Sequence, residues 1–277
     1  MSLSIQGKTA IVTGAGHGIG LAIGRHFAER GANVMFADCD EAALETELAG
    51  HDRETGPVRI FSGDLSARLA LANLLSATLD AFDRVDILVN AHRLVKDSDP
   101  LEADPQEVEE MLRHNVLGSL RLSQIVARRM MKQAEAGGEG AQAGAQAGAI
   151  VNLTTLAGAR PAPEKMGYSI ACAAQEQATR NLALVLAPHR IRVNAVRFGS
   201  VMSHELQAAL KTDPGLRSRM LAGTPLGRIA APDELTEVVH YLVSEGARFV
   251  TGQVLTVDGG RSLVDAVTGA GSDARPV

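Results

Sequence analysis

Along this chain, short apolar runs alternate with longer stretches of helical period. Residues 9–13 make the first apolar run, and 33–37, 58–61, 87–89, 150–153, 192–196 and 253–257 repeat it. Between them, 21–30, 41–49, 67–82, 106–132, 168–186 and 232–244 follow the period of a helix with one buried face. Gly31 closes the first helix, as glycine does where a helix must end in a left-handed turn. Strands that alternate with helices predict an α/β fold in a single domain over 1–266: a doubly wound parallel sheet with helices on both faces.

Composition supports that fold. Apolar residues make up 45 % of the chain, aromatics only 3 %, and tryptophan is absent, so the core is expected from Val, Leu, Ile and Ala, which suit parallel strands covered on both sides. Two segments break the pattern. Residues 134–149 hold only Ala, Gly, Gln and Glu and are expected to form a flexible insertion. It precedes a strand, whereas parallel-sheet ligand sites lie beyond the strands' carboxyl ends, so it is expected far from any chemistry. Residues 267–277 are expected to be a loose tail.

A net charge of -5 argues against nucleic-acid and membrane-surface partners. No apolar run reaches the roughly 18–20 residues of a membrane span, and the first residues lack the basic-then-apolar pattern of a signal peptide. Two cysteines, Cys39 and Cys172, give no disulfide framework and fit a reducing compartment, so a cytoplasmic location is expected. No metal site is expected.

The chemistry begins where the first strand meets the first helix. Thr13-Gly14-Ala15-Gly16-His17-Gly18-Ile19-Gly20 lets the backbone turn tightly and approach a pyrophosphate, which the helix N-terminus then holds with free N–H groups and its dipole. This places a Rossmann-type nucleotide site at the start of the domain. Asp38, at the end of the second strand, can accept hydrogen bonds from both adenosine ribose hydroxyls and would repel a 2′-phosphate. NAD is therefore preferred over NADP, although His17 could partly neutralise such a phosphate.

These residues, with others in order, resemble the classical short-chain dehydrogenase/reductase family from about residue 6 to 264. Thr13-Gly14-x-x-x-Gly18-x-Gly20 matches its cofactor motif, Asp64-Leu65 falls at its adenine-contacting Asp, and Asn115 matches its helix asparagine. Asn90-Ala91-His92-Arg93 stands at its Asn-Asn-Ala-Gly segment, Tyr168 at its catalytic tyrosine, and Val257-Asp258-Gly259-Gly260 at its closing strand. The resemblance implies that Tyr168 exchanges a proton with an alcohol or ketone while hydride moves to or from nicotinamide. It also implies that Thr155, where the family has serine, orients the substrate oxygen and that Asn115 completes a proton path. The substrates it implies are small alcohols and ketones, hydroxyacyl compounds among them. Association into dimers or homotetramers through the helices 106–132 and 168–186 is a further implication.

The chain departs from the family at one decisive position. Four residues after Tyr168, on the same helix face, the family has a lysine and this chain has Cys172. A free phenol titrates near about 10, so without a neighbouring cation it is a poor base at neutral pH. No lysine occurs between Lys165 and Lys211. His92 and Arg93 are bulky where the family has small residues that let the cofactor approach, and Phe198-Gly199, preceded by Arg197, stands at its Pro-Gly segment beside nicotinamide. Weakened cofactor binding and impaired activity are expected. The alternative is a non-catalytic subunit or regulator that pairs with an active paralogue. Residues 200–223, including Met202, His204, Leu206 and Met220, are expected to form a substrate lid.

Overall fold

The computed structural model describes residues 3–49, 52, 56–101, 106–136 and 146–264, the side chains of 204 and 205 excepted. Strands β1 (Thr9–Thr13), β2 (Asn33–Asp38), β3 (Val58–Ser62), β4 (Ile87–Asn90), β5 (Gly148–Thr155), β6 (Ile191–Phe198) and β7 (Val254–Val257) form one parallel sheet in the order 3-2-1-4-5-6-7. The order reverses between β1 and β4, which opens a crevice beyond their carboxyl ends.

Successive strand residues point to opposite faces, and both faces are buried. Ala10, Val12, Val34, Phe36, Ile87, Val89 and Val151 face one core with Ile23 and Phe27 of α1 (Gly18–Glu29), Leu44 of α2 (Glu41–Leu48), and Leu235 and Val239 of α9 (Asp233–Val243). Ile11, Met35, Leu88, Ile150 and Val193 face the other, with Leu74 of α3 (Arg68–Phe82), Leu122 and Met130 of α5 (Ser119–Ala136) and Leu186 of α6 (Met166–Leu186). Each fully buried side chain of this size contributes about 1.5–3 kcal/mol of apolar transfer.

The observed elements differ from the sequence pattern mainly at their ends. The first helix starts at Gly18 rather than residue 21, because its opening turn is glycine-rich and carries no apolar period. Strand β5 extends two residues beyond each end of the expected 150–153, and β6 one residue before and two after the expected 192–196. Their polar residues are buried but paired: Arg192 donates to the Leu242 and Ser244 carbonyls, and Asn194 to the Val250 carbonyl. The helix expected over 106–132 is one rod made of α4 (Gln106–Leu112), a π-helical turn (Arg113–Gly118) and α5, which extends to Ala136. The insertion 134–149 therefore begins helical and ends in β5. Its residues 137–145, and the tail 267–277, lie outside the described residues. The expected lid folds as α7 (His204–Thr212) and α8 (Leu216–Ala222), and the His204 side chain is likewise outside the description. Among the described residues, no helix is long and apolar enough to cross a membrane.

Candidate functional site

The glycine turn does what its composition requires. Gly14 and Gly18 have φ of 65° and 55°, a region that glycine enters without strain. A Cβ on Gly14 would lie 2.7 Å from the His92 backbone, and one on Gly20 would lie 2.1 Å from the Gly14 carbonyl oxygen. Helix α1 therefore approaches β1 and the β4 loop as closely as backbone allows. His17 occupies the N-cap position without capping, since its Nε2 instead meets Asp40 Oδ2 at 2.8 Å. The first N–H groups of α1 thus keep their capacity for an anion.

A cleft of about 390 Å³ opens at this turn, lined by Gly14, His17, Gly18, Ile19, Gly20, Asp38, Asp64 and Leu65 together with Ala91, His114 and Ser203. Asp38 Oδ2 accepts the Gly16 N–H at 2.9 Å and Oδ1 the Asp40 N–H at 3.1 Å, so the carboxylate is fixed at the end of β2 on the cleft wall. Gly16 acts by holding Asp38. The Ser66 N–H and hydroxyl both bond Asp64, and the backbone bond above all holds its carboxyl below the usual range. Asn90 does not reach this cleft. Its amide donates to Ser123 Oγ at 3.0 Å and Asn152 Oδ1 at 2.8 Å beneath it, and Ala91 takes its place on the wall.

The cleft stops short of the tyrosine. His92 and Arg93 line both this cleft and a second cavity of about 20 Å³ bordered by Asn90, Asn115, Tyr168, Cys172 and Gln175, little more than room for one water. His92 is anchored at both ring nitrogens: Nδ1 lies 2.7 Å from Thr13 Oγ1, and Nε2 lies 3.2 Å from the His114 carbonyl. A carbonyl only accepts, so Nε2 carries the proton and Nδ1 accepts from the threonine. Burial pushes this imidazole's pKa down to about 4, keeping it neutral. The Arg93 guanidinium stacks on the Phe198 ring at 5.3 Å, a cation–π contact. Phe198 is itself paired in register with Thr155. His92 and Arg93 thus form a common wall of the two cavities, at positions where the family has small residues.

Behind that wall lie the residues at the family's catalytic positions. Tyr168, 6 % exposed, packs with Met111 and Cys172. Thr155 Oγ1 lies 3.6 Å from Cys172 Sγ. Asn115 borders the same cavity because the π turn swings it onto the Leu94 backbone, where Oδ1 accepts at 2.6 Å and Nδ2 donates at 2.8 Å. Burial, and then Cys172, raise the Tyr168 pKa well above its ordinary value; the Arg93 charge and the Thr155 hydroxyl oppose them without prevailing.

Nearby cations have other partners. Lys165 bonds Asp97 at 2.7 Å on the surface. Arg197 pairs with Glu176, its Nε 2.7 Å from Oε1. Glu176 lies one turn beyond Cys172, is 4 % exposed, and also accepts from Thr154. Sequence reasoning noticed Arg197 but missed Glu176, whose signal is an acidic residue on the buried face of an otherwise apolar helix.

The enoyl-(acyl carrier protein) reductase family model matches residues 14–262. A short-chain dehydrogenase of Penicillium roqueforti is 34 % identical over 95 % of this chain and 98 % of its own. The L-fucose dehydrogenase of Mus musculus is 34 % identical over 93 % of this chain and 89 % of its own. Among solved structures, a 7α-hydroxysteroid dehydrogenase complexed with NADH and 7-oxo glycochenodeoxycholic acid has a TM-score of 0.83 at 30 % identity, covering 93 % of this chain and 95 % of that one.

Proposed function

The chain belongs to the classical short-chain dehydrogenase/reductase family of oxidoreductases, and within it we propose an adenine-nucleotide-binding protein whose alcohol–ketone chemistry is close to silent. The observation that carries this reading is the His92–Arg93 wall between the nucleotide cleft and Tyr168.

A nicotinamide dinucleotide, the family's hydride carrier, fits this chain only in part. The glycine turn and the start of α1 suit a pyrophosphate, Asp38 suits the two hydroxyls of an adenosine ribose, and Asp64-Leu65 suits the adenine. Asp38 also disfavours a 2′-phosphate, so NAD is preferred over NADP. The nicotinamide end fits poorly: Arg93 stacks on Phe198 at the cavity wall, and Cys172 supplies neither the charge nor the ribose contacts of an ammonium. Tyr168, as acid or base, has to pass a proton to or from a substrate oxygen held by Thr155, with Asn115 in support. Burial keeps that proton on the phenol. If the lysine of active relatives contributes two to four decades of rate, its loss costs about 3–5 kcal/mol of transition-state stabilisation.

On this reading the chain acts as a structural subunit or nucleotide-dependent regulator, as a homo-oligomer or beside an active paralogue. Two free cysteines agree with a reducing, cytoplasmic setting. Calorimetric titration with ADP-ribose and NAD tests the half-site: the two are expected to bind within a factor of about three of each other. NAD binding more than about tenfold tighter would mean that the nicotinamide is accommodated.

A second reading, an active NAD-linked oxidoreductase, is favoured by one observation: the Arg93 charge acts on the Tyr168 phenol in the direction that lysine does in the family. Turnover of Cys172→Lys, Arg93→Gly and the double variant separates the two. The silent-site reading expects activity only in the double variant. The second expects a measurable wild-type rate against secondary alcohols and hydroxyacyl substrates, abolished by Arg93→Gly.

A further inference from the structure

On the face of the sheet covered by α1 and α9, away from the nucleotide cleft, the geometry points to a divalent transition-metal site formed by His26, Glu237 and His240. His26 lies in the last turn of α1, His240 in the last turn of α9, and Glu237 one turn earlier on α9. Positions three apart share a helix face, and the potential ligand atoms of all three residues lie within 4.8 Å of one another.

His240 is the preorganised member. It is 4 % exposed, and its Nε2 lies 2.6 Å from the Leu3 carbonyl oxygen. A carbonyl only accepts, so Nε2 carries the proton and the Nδ1 lone pair is left facing His26 Nε2 at 2.8 Å. Metal-binding histidines characteristically have this outer arrangement, in which a backbone carbonyl fixes the tautomer and the ring. Phe27 packs edge-on against the His240 ring at 6.2 Å and restrains it further.

Two imidazole nitrogens and one carboxylate suit zinc, nickel, copper or cobalt rather than calcium or magnesium. A tetrahedral ion about 2.0–2.1 Å from each nitrogen needs them about 3.3 Å apart. The pair must open by about half an ångström from its present N–H···N hydrogen bond. The adjustment falls to His26, which is only partly buried. The proton on His26 Nε2 moves to Nδ1, so the ring stays neutral. Glu237 is exposed and pairs with Arg30 at 3.2 Å, a surface contact weak enough to yield. The fourth position faces solvent and takes water. The ion would tie α1, α9 and the segment at Leu3 into one unit and so stabilise the folded chain by mass action.

The full chain, stripped with EDTA, is titrated with zinc and separately with nickel, followed by calorimetry and thermal unfolding without nucleotide. One ion per chain and a rise in melting temperature are expected, with affinity reduced about tenfold or more in His26→Gln and in Glu237→Gln. Both substitutions lie on the accessible side of the cluster, so the test does not depend on altering buried His240. Absence of binding, or binding that both variants retain at full strength, would overturn the assignment. In the second case Cys39 or another histidine would be the ligand.

Discussion

His92 is neutral in the folded chain because both ring nitrogens are engaged and its pKa is pushed down to about 4. Unfolded, it titrates near about 6.5. Between those values the unfolded chain binds a proton that the native state refuses, so stability rises with pH. As pH falls from about 6.5 toward 4, stability is lost at up to about 1.4 kcal/mol per unit. His26 is shifted in the same direction and contributes to wild type and variant alike. Urea unfolding at several pH values in this window should therefore give a shallower decline for His92→Ala than for wild type, and parallel curves would refute the assignment. Gly20 is constrained by space instead. Gly20→Ala forces a methyl to 2.1 Å from the Gly14 oxygen, so helix and turn must separate. The expected cost is about 1–3 kcal/mol, together with loss of ADP-ribose binding; retention of that binding would mean that the turn does not hold the pyrophosphate.

Between elements, the Arg197–Glu176 pair links β6 to α6 behind Cys172. Removing one partner of a buried ion pair strands the other's charge, which costs about 3–5 kcal/mol. Arg197→Leu is expected to destabilise by that amount, whereas Arg197→Leu with Glu176→Leu should recover most of it. A double-mutant cycle by chemical denaturation measures the coupling, and additive effects would show that the pair contributes nothing. This link also marks where sequence reading stops. The element order was legible because strands buried on both faces read as apolar runs. Strand ends were not, because polar residues such as Thr154, Thr155 and Arg197 look like loop residues until their partners are known. Tyr168, Thr155 and Asn115 could be placed only through the family resemblance, since no local pattern marks them. His92 and Arg93 were visible as oversized residues, but their anchoring by Thr13, His114 and Phe198 joins distant strands and helices that no local pattern connects.

At the scale of the whole molecule, apolar side chains are exposed on α6 and at β7. Ile170, Leu184 and Val185 are exposed on α6, and Phe249 and Leu255 are exposed beside β7, an edge strand of the sheet. An uncovered edge with an apolar flank is a template for association. If each of these patches meets its own copy across a two-fold axis, the two contacts together generate a tetramer of dihedral symmetry. Burying one Leu or Phe contributes about 1.5–3 kcal/mol, and the axis counts each residue twice per interface, so a single charge at a patch centre suffices to open it. Sedimentation of the wild-type chain is expected to give tetramers, with Leu184→Asp and Phe249→Asp each leaving dimers and the double variant leaving monomers. A monomeric wild type would remove the proposed homo-oligomer. Tetramers that survive Leu184→Asp would place α6 outside the interface, leaving that surface available to a different partner such as an active paralogue.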